Sequence, residues 1–479
     1  MPQNSWSQNN PGDELDPISS LLSEFSDDDF ESNFFFQGQE GRRRKAAVVL
    51  TMIWGSTIAL HLMSWGYWLV WSLTALLGIH AVRVFRARPL KRPEPLIAED
   101  SDDFPSVSLI VAAQNEEYVI SNLVKMLCNL DYPKDKYELW VINDRSTDST
   151  PLLLDKLAAE YEQLKVLHRG ESAGGGKSGA LNHVLPLTKG EIVGVFDADA
   201  RVTKDLLRHV MPLFNKSEVG GVQVRKTIAN VELNFWTKGQ MAEMALDAYL
   251  QQQRTAIGGL GELRGNGQFV RRKALQSCGG WNEQTITDDL DLTIRLHLDN
   301  WDILFLDSPP VEEEGVTNFL ALWHQRNRWG EGGYQRYMDY WRLIVSHRMG
   351  IRKKLDLWFW MFMQYIVPSA AIPDFLMAIV RNRLPILAPL TGLAIAISTF
   401  GLFAGLSRTN NQDRKTFPNL FTILLQTLRS AIYMIHWMLV IPAITARMSL
   451  RPKRLKWVKT VHEGTGEESF VSAAGRSPF

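Results

Sequence analysis

Asp197-Ala198-Asp199 follows a short apolar run that ends at Phe196. If that run is a strand that continues, alternate side chains share a face, and both carboxylates point the same way at the sheet edge. Two carboxylates together with diphosphate oxygens are a ligand set that Mg²⁺ or Mn²⁺ accepts, since Mg²⁺ keeps waters and is seldom caged by protein alone. A polar turn closing the strand accounts for the same residues. Asn143-Asp144-Arg145-Ser146-Thr147-Asp148 follows another apolar run in the same way. Asp144 could accept hydrogen bonds from a nucleobase or ribose and Asp148 could cap the next helix, and turn chemistry explains both equally well.

Thr287-Asp288-Asp289-Leu290-Asp291 opens an amphipathic stretch. Acids in a first helical turn are favoured by the helix dipole, which is explanation enough for Asp288 and Asp291. A carboxylate there beside a cleft could also serve as a general base, worth about 10² to 10⁴ in rate. Gln325, Arg328 and Trp329 share one face of a predicted helix. That is either an ordinary amphipathic face or, beside a diphosphate, a leaving-group cation next to an acceptor platform. Gly174-Gly175-Gly176-Lys177-Ser178 invites comparison with a phosphate-binding P-loop, but Glu171 stands where the first glycine is required and no strand leads straight into it. A glycine loop presenting Lys177, followed by a helix containing Asn182, is the expectation.

The elements that must position these groups read as alternating short apolar strands and helices. Strands are predicted at 107–112, 138–143, 164–168 and 192–196, with helical stretches at 116–129, 150–159 and 179–187. This alternation predicts an α/β fold, a doubly wound and largely parallel sheet. Ligands of such sheets bind beyond the carboxyl ends of the strands, where the acidic motifs fall.

The chain has 479 residues, 45% hydrophobic and 22% charged, with 52 basic against 52 acidic side chains. A zero balance offers no global field for polyanions, so no nucleic-acid partner is expected. Two cysteines far apart, Cys128 and Cys278, exclude a disulfide framework and a cysteine zinc site. The mean hydropathy of −0.13 averages a polar leader with long apolar runs. Residues 1–45 form an acidic leader, expected to be disordered and uncleaved. Residues 46–82 are too long for one span at about 1.5 Å per residue, so a transmembrane hairpin turning near Ser64 to Gly66 is predicted, with both basic flanks facing the cytoplasm. A globular part follows at 83–357, then interfacial and transmembrane helices at 358–446 and a basic tail at 447–479. Three late crossings would put that tail outside, against the positive-inside rule. The stretch at 358–380, with Gln364, Pro368, Pro373 and Asp374, is therefore expected to be the one that does not cross.

The order of motifs is more specific than any one of them. Ala112 to Glu117, Asn143-Asp144-Arg145-Ser146, Lys177 to Asn182, Asp197-x-Asp199, Thr287-Asp288-Asp289 and Gln325-x-x-Arg328-Trp329 resemble the processive-type branch of glycosyltransferase family 2 over about residues 104 to 335. The resemblance implies a GT-A type fold flanked by transmembrane helices. It also implies donor contacts from Asp144, Lys177, Asp197, Asp199 and Arg328, with Mg²⁺ (or Mn²⁺) on Asp197 and Asp199. Asp289 is then the catalytic base, and Gly265, Asn266, Gly267, Gln325 and Trp329 face the acceptor. Asn143 and Arg145 depart from the usual pattern, an acid before the aspartate and a glycine after it. The layout further resembles membrane enzymes that move glucose from UDP-glucose to diacylglycerol on the cytoplasmic face of a thylakoid or plasma membrane, and Arg352, Lys353 and Lys354 beside Trp358 and Trp360 predict work on a lipid bilayer favoured by anionic lipids. A polysaccharide or ceramide glycosyltransferase is the related alternative, and a scaffold or P-loop transporter subunit is the unrelated one.

Overall fold

The computed structural model describes residues 41–97, 104–413 and 419–450. Most of the acidic leader and the tail beyond residue 450 lie outside these. A seven-stranded sheet runs β3 (Leu164–His168), β2 (Tyr137–Asn143), β1 (Val107–Ala113), β4 (Ile192–Phe196), β6 (Gln268–Arg271), β5 (Val219–Ile228) and β7 (Asp302–Glu313) across its width. The first four strands are parallel, β6 is antiparallel to both neighbours, and β5 pairs with β7 in parallel. The predicted α/β sheet is therefore present, and a mixed half is added to it. β1 and β4 are almost wholly buried, as expected of strands covered on both faces.

Eleven helices matter here. In chain order they are α1 (Arg42–Leu62), α2 (Gly66–Phe85), α3 (Ile120–Cys128), α4 (Thr150–Glu160), α5 (Gly176–Val184), α6 (Phe235–Ala256), α7 (Asp288–Leu298), α8 (Phe319–Val345), α9 (Ile351–Val380), α10 (Ala388–Asp413) and α11 (Leu420–Leu450). Leu123, Val124 and Leu127 of α3 join Leu109, Val111, Leu139 and Val141 in a core on one face of the sheet. Ala180, Leu181 and Val184 of α5, with Leu292 and Leu296 of α7, pack with Ile110, Ile142 and Val195 on the other.

Among the described residues five helices, α1, α2, α9, α10 and α11, are long and apolar enough to cross a membrane. Their polar anchors give them directions. Arg42, at the start of α1, pairs with Asp339 of α8 and donates to Gln284 O at 3.1 Å, whereas His61, near its other end, meets Asp374 of α9 at 2.7 Å. The chain returns through α2, whose end meets α6, since Gln253 donates to Val84 O at 3.2 Å. At the start of α9, Asp356 accepts from Arg254 Nε at 2.9 Å and Leu260 N at 3.0 Å. Asp374, farther along, accepts from Ile386 N at 2.9 Å. The stretch between those two aspartates measures about 27 Å at helical rise, close to a hydrocarbon thickness of about 30 Å. α10 comes back, and its Arg408 donates to Gln252 Oε1 at 2.7 Å.

α11 behaves differently. Near its start Gln426 accepts from Asn410 Nδ2 at 3.1 Å, and near its end Arg447 pairs with Glu331 of α8 at 2.9 Å. α11 packs against α1, α10, α8, α6 and α9. Phe421, Leu424, Leu425, Leu428, Ile432, Ile435 and Leu439 are exposed, whereas Ser430, Tyr433 and His436 are buried, a one-sided apolar stripe. Helix 351–380, expected not to cross, is among the helices with the length and composition to do so, as is 420–450. Pro373 and Asp374 are accommodated inside α9: Asp374 meets His61, Ile386 N and Leu387 N, and a π-helical turn lies at Phe362–Ile366.

Candidate active site

The acidic motifs converge at the carboxyl ends of β1, β2 and β4. After β2, Asp144 N donates to Ala113 O at 2.8 Å, which ties the two strand ends together. Asp144 is buried and accepts from Arg169 Nη1 at 3.0 Å and Arg145 Nε at 3.2 Å. Arg169 also donates to Gly174 O and to Gly176 O, so it ties the glycine loop to the aspartate. Sequence reasoning missed Arg169, although it directly follows β3 at the sheet edge where ligands bind. Arg145 has φ of 60°, a left-handed conformation that glycine adopts more cheaply. The glycine usual at that position is thus a backbone requirement, which this chain meets with an arginine. Asp148 is engaged in turn chemistry, accepting from Thr150 N at 3.0 Å.

Lys177 lies in the first turn of α5, where the glycine loop presents it, and pairs with Asp197. Burial works against its charge, but Asp197, Asp288 and Asp289 outweigh that and hold Lys177 above the ordinary lysine value. Asp199 accepts from Glu314 N at 2.8 Å. Burial, then repulsion from Asp197 and Glu313, pushes its carboxyl up to about 7. Glu313, unanticipated from the sequence, closes the long strand β7 within an acidic triplet at 312–314. Among the described residues no group of three His, Cys, Asp or Glu side chains converges as a self-sufficient metal site. Two neighbouring carboxylates that repel each other nonetheless suit a divalent cation shared with a ligand's own oxygens.

Asp289 stands in the first turn of α7, with Asp288 and Asp291. Its Oδ1 accepts from Leu290 N at 2.8 Å. Burial and Asp288 raise it to about 6, while Leu290 N–H, Arg264 and Lys177 hold it back. Asp291 is structural, as the helix-dipole reading allows, and takes Arg295, Asn282 and Tyr340. The loop before β6 approaches the base directly: a Cβ on Gly265 would lie 3.4 Å from Asp289 Oδ2, and φ there is 77°. Gly267 has φ of 71°, and a Cβ on it would meet Val311 at 2.9 Å. Asn266, between them, is fully buried. It accepts from Asp197 N at 3.3 Å and approaches Glu313 with its amide at 3.4 Å, so its side chain braces the Asp197 turn.

On α8, Arg328 feels Asp197, Asp289 and Asp288, and burial draws it below the ordinary arginine value against their pull. Gln325 accepts from Arg326, which is bound to Glu243 and stacks over the Trp329 ring at 4.1 Å. Lys226 approaches the same ring at 5.4 Å and pairs with Glu313 at 3.2 Å. Trp329 is thus a fixed, half-buried platform. Arg326, Lys226 and Arg264 were not anticipated. Arg264 sits immediately before Gly265-Asn266-Gly267, the one clue the sequence offered.

A family model described as glycosyltransferase like family 2 matches residues 105–332. Over 477 residues, covering 98% of this chain and 100% of the relative, the sequence is 59% identical to the beta-monoglucosyldiacylglycerol synthase of a Nostoc species. The chain belongs to glycosyltransferase family 2. The Synechocystis protein of the same name is 56% identical to this glycosyltransferase, again over 98% of this chain, and 99% of that one. The fold is also that of a mannosyltransferase from Pyrobaculum calidifontis, solved in complex with GDP-Man and Mn²⁺, at a TM-score of 0.52 and 21% identity, covering 81% of this chain and 98% of that one. That likeness supports a GT-A type sheet for this glycosyltransferase.

Proposed function

We propose that this glycosyltransferase transfers glucose from UDP-glucose to 1,2-diacylglycerol and releases beta-monoglucosyldiacylglycerol and UDP. The end-to-end identity of 56 to 59% with synthases of that name carries the reading, and the site is chemically equipped for it. As the acceptor hydroxyl oxygen attacks the anomeric carbon, Asp289 takes its proton, because an alcohol is a poor nucleophile until it is deprotonated. The bond to the diphosphate oxygen breaks on the opposite face, so an α-linked donor yields a β-glycoside. Asp197 and Asp199 would hold Mg²⁺ or Mn²⁺, which supplies charge neutralisation to the diphosphate when bound. Lys177 and Arg328 balance the charge that develops on departing UDP, Asp144 orients the nucleotide, and the Trp329 platform and Gly265 leave room for the acceptor beside the base.

A diacylglycerol hydroxyl lies at headgroup level, so the site must sit against a bilayer. Four helices, α1, α2, α9 and α10, have the length and the alternating directions of crossings, and α11 offers its apolar stripe along the interface. Trp65 and Trp68, exposed at the far turn of the hairpin, suit the opposite headgroup layer. The basic clusters near Arg42 and Arg83 to Arg92 then face the cytoplasm with the catalytic domain. The deciding experiment incubates the full chain with labelled UDP-glucose or UDP-galactose and diacylglycerol in mixed micelles, with Mg²⁺, Mn²⁺ or neither. The expected product is a single β-glucosyl lipid that requires a divalent cation. Chain extension, or preferential use of UDP-galactose, overturns the assignment.

A further inference from the structure

A cleft of about 270 Å³ opens where the end of β5, the first turns of α6, the last turns of α10 and the start of α11 meet, lined among others by Thr227, Lys238, Asn410, Gln426 and Arg429. None of these residues serves the chemistry above. The volume is just under the roughly 300 Å³ at which small-molecule pockets begin, enough for a polar headgroup and too little for a whole lipid. Its charges are unevenly satisfied. Lys238 pairs with Glu232, also in the lining, at 3.0 Å. Asn410 is held by Gln426. Arg429 differs: its Nε is buried, and no acceptor meets it among the described residues. A buried guanidinium N–H without an acceptor is costly, and an anion in the cleft would satisfy it.

Position decides the source of that anion. Arg429 directly follows Leu428 on α11, and Leu425, Leu428 and Ile432 are exposed on the apolar stripe around it. Acyl chains lying along that stripe bring a headgroup to the mouth of the cleft. We propose that the cleft binds the anionic headgroup of a bilayer phospholipid, with Arg429 as its cation and Lys238 and the Asn410 amide beside it. The proposal rests on the interfacial placement of α11 described under the proposed function. Thr227 also neighbours Lys226, which approaches the Trp329 ring, so an occupied cleft adjoins the strand end behind the acceptor platform.

The test needs no turnover. The full chain is reconstituted in phosphatidylcholine vesicles containing phosphatidylglycerol with a photoreactive headgroup, and labelled peptides are identified by mass spectrometry. Labelling is expected to concentrate on 227–241 and 426–430, competed by unlabelled phosphatidylglycerol and not by inorganic phosphate. Arg429→Gln should weaken that competition about fivefold, the factor that about 1 kcal/mol per surface cation gives, and Arg429→Lys should largely restore it. Lys238→Gln gives an independent, smaller loss should the first variant fold poorly. Labelling spread evenly over other basic segments, or unchanged in Arg429→Gln, overturns the proposal, and equal competition by inorganic phosphate assigns the cleft to a free anion instead. A protein that failed to glucosylate diacylglycerol would still give the expected labelling, so the two readings fail separately.

Discussion

Two buried charge clusters lie within a few residues of each other and have opposite character. In the first, Glu262 receives Arg254 at 3.2 Å, Arg264 at 2.7 Å and Arg336 at 3.4 Å, and Arg254 continues to Asp356 at 2.9 Å. Burial alone would raise the Glu262 carboxyl, but the three arginines hold it well below the ordinary value. In the second cluster Asp197, Asp199, Asp288 and Asp289 face Lys177 and Arg328, and burial with mutual repulsion raises Asp199 and Asp289 instead. The first cluster is neutralised by its own chain and joins the loop before Gly265 to the start of α9. The second is short of positive charge, as a site for a divalent cation would be. Buried charge serves architecture where it is compensated and chemistry where it is not.

The largest effect expected of breaking this contrast is at the base. Asp289→Asn keeps the shape, removes proton acceptance and should lower turnover by about 10² to 10⁴, with UDP-glucose binding, measured by titration calorimetry, nearly unchanged. Near-normal turnover would remove Asp289 from its role. In the compensated cluster, Glu262→Ala leaves three arginines buried without their common anion. A loss of about 3 to 5 kcal/mol is expected, as for other broken buried pairs, and is read as a large fall in Tm in detergent. A change of only a degree or two would mean that water already screens the network.

A pH series sharpens the same comparison with a smaller, graded effect. Asp289 must be ionised to accept a proton, so with its carboxyl at about 6 kcat/KM should fall toward tenfold per unit below that pH and level off above it. Stability should move in opposite senses for the two acids. Asp289 has a folded value above its unfolded one, so its ionisation costs stability as pH rises through about 6. Glu262 has a folded value below its unfolded one, so its contribution is present at neutral pH and is lost as pH falls through the carboxylate range. An acid limb positioned at the ordinary aspartate value would show that Asp289 is solvated.

Much of this contrast was legible in the sequence, and the missing part has a physical cause. The parallel half of the sheet stood out because β1, β2 and β4 are short apolar runs followed by polar turns. β5, β6 and β7 did not: β5 carries Gln223, Arg225 and Lys226, and β7 holds two prolines, so neither alternates cleanly. The acids proposed to act in the reaction were visible through spacing. Arg169, Glu313 and Arg264 were not, because each acts on a partner 25 or more residues away, to which local periodicity is blind. The partners that accommodate Asp374 in α9 were hidden for the same reason, since they come from α1 and the turn before α10.

Arg145 offers the finest test, because Asp144 is the intermediate case, an acid at the site that is already compensated. Arg169 pairs with it from a buried position, and Arg145 adds a more exposed contact at 3.2 Å. The left-handed backbone at Arg145 costs about 1 kcal/mol or more in a residue with a Cβ, and glycine would relieve it while adding about 0.5 to 1 kcal/mol of unfolded-state entropy. These terms nearly cancel, so Arg145→Gly should change Tm by very little. Its effect should appear in binding. If Arg145 merely screens Asp144, removing it frees a lone pair for the nucleotide, and the Kd for UDP should hold or tighten slightly. If Arg145 itself grips the diphosphate, Kd should rise about tenfold, the cost of a charge-assisted hydrogen bond at about 1.5 kcal/mol. Arg169 already neutralises Asp144 from within the fold, so the first outcome is expected, and calorimetry of UDP binding to the two proteins separates them.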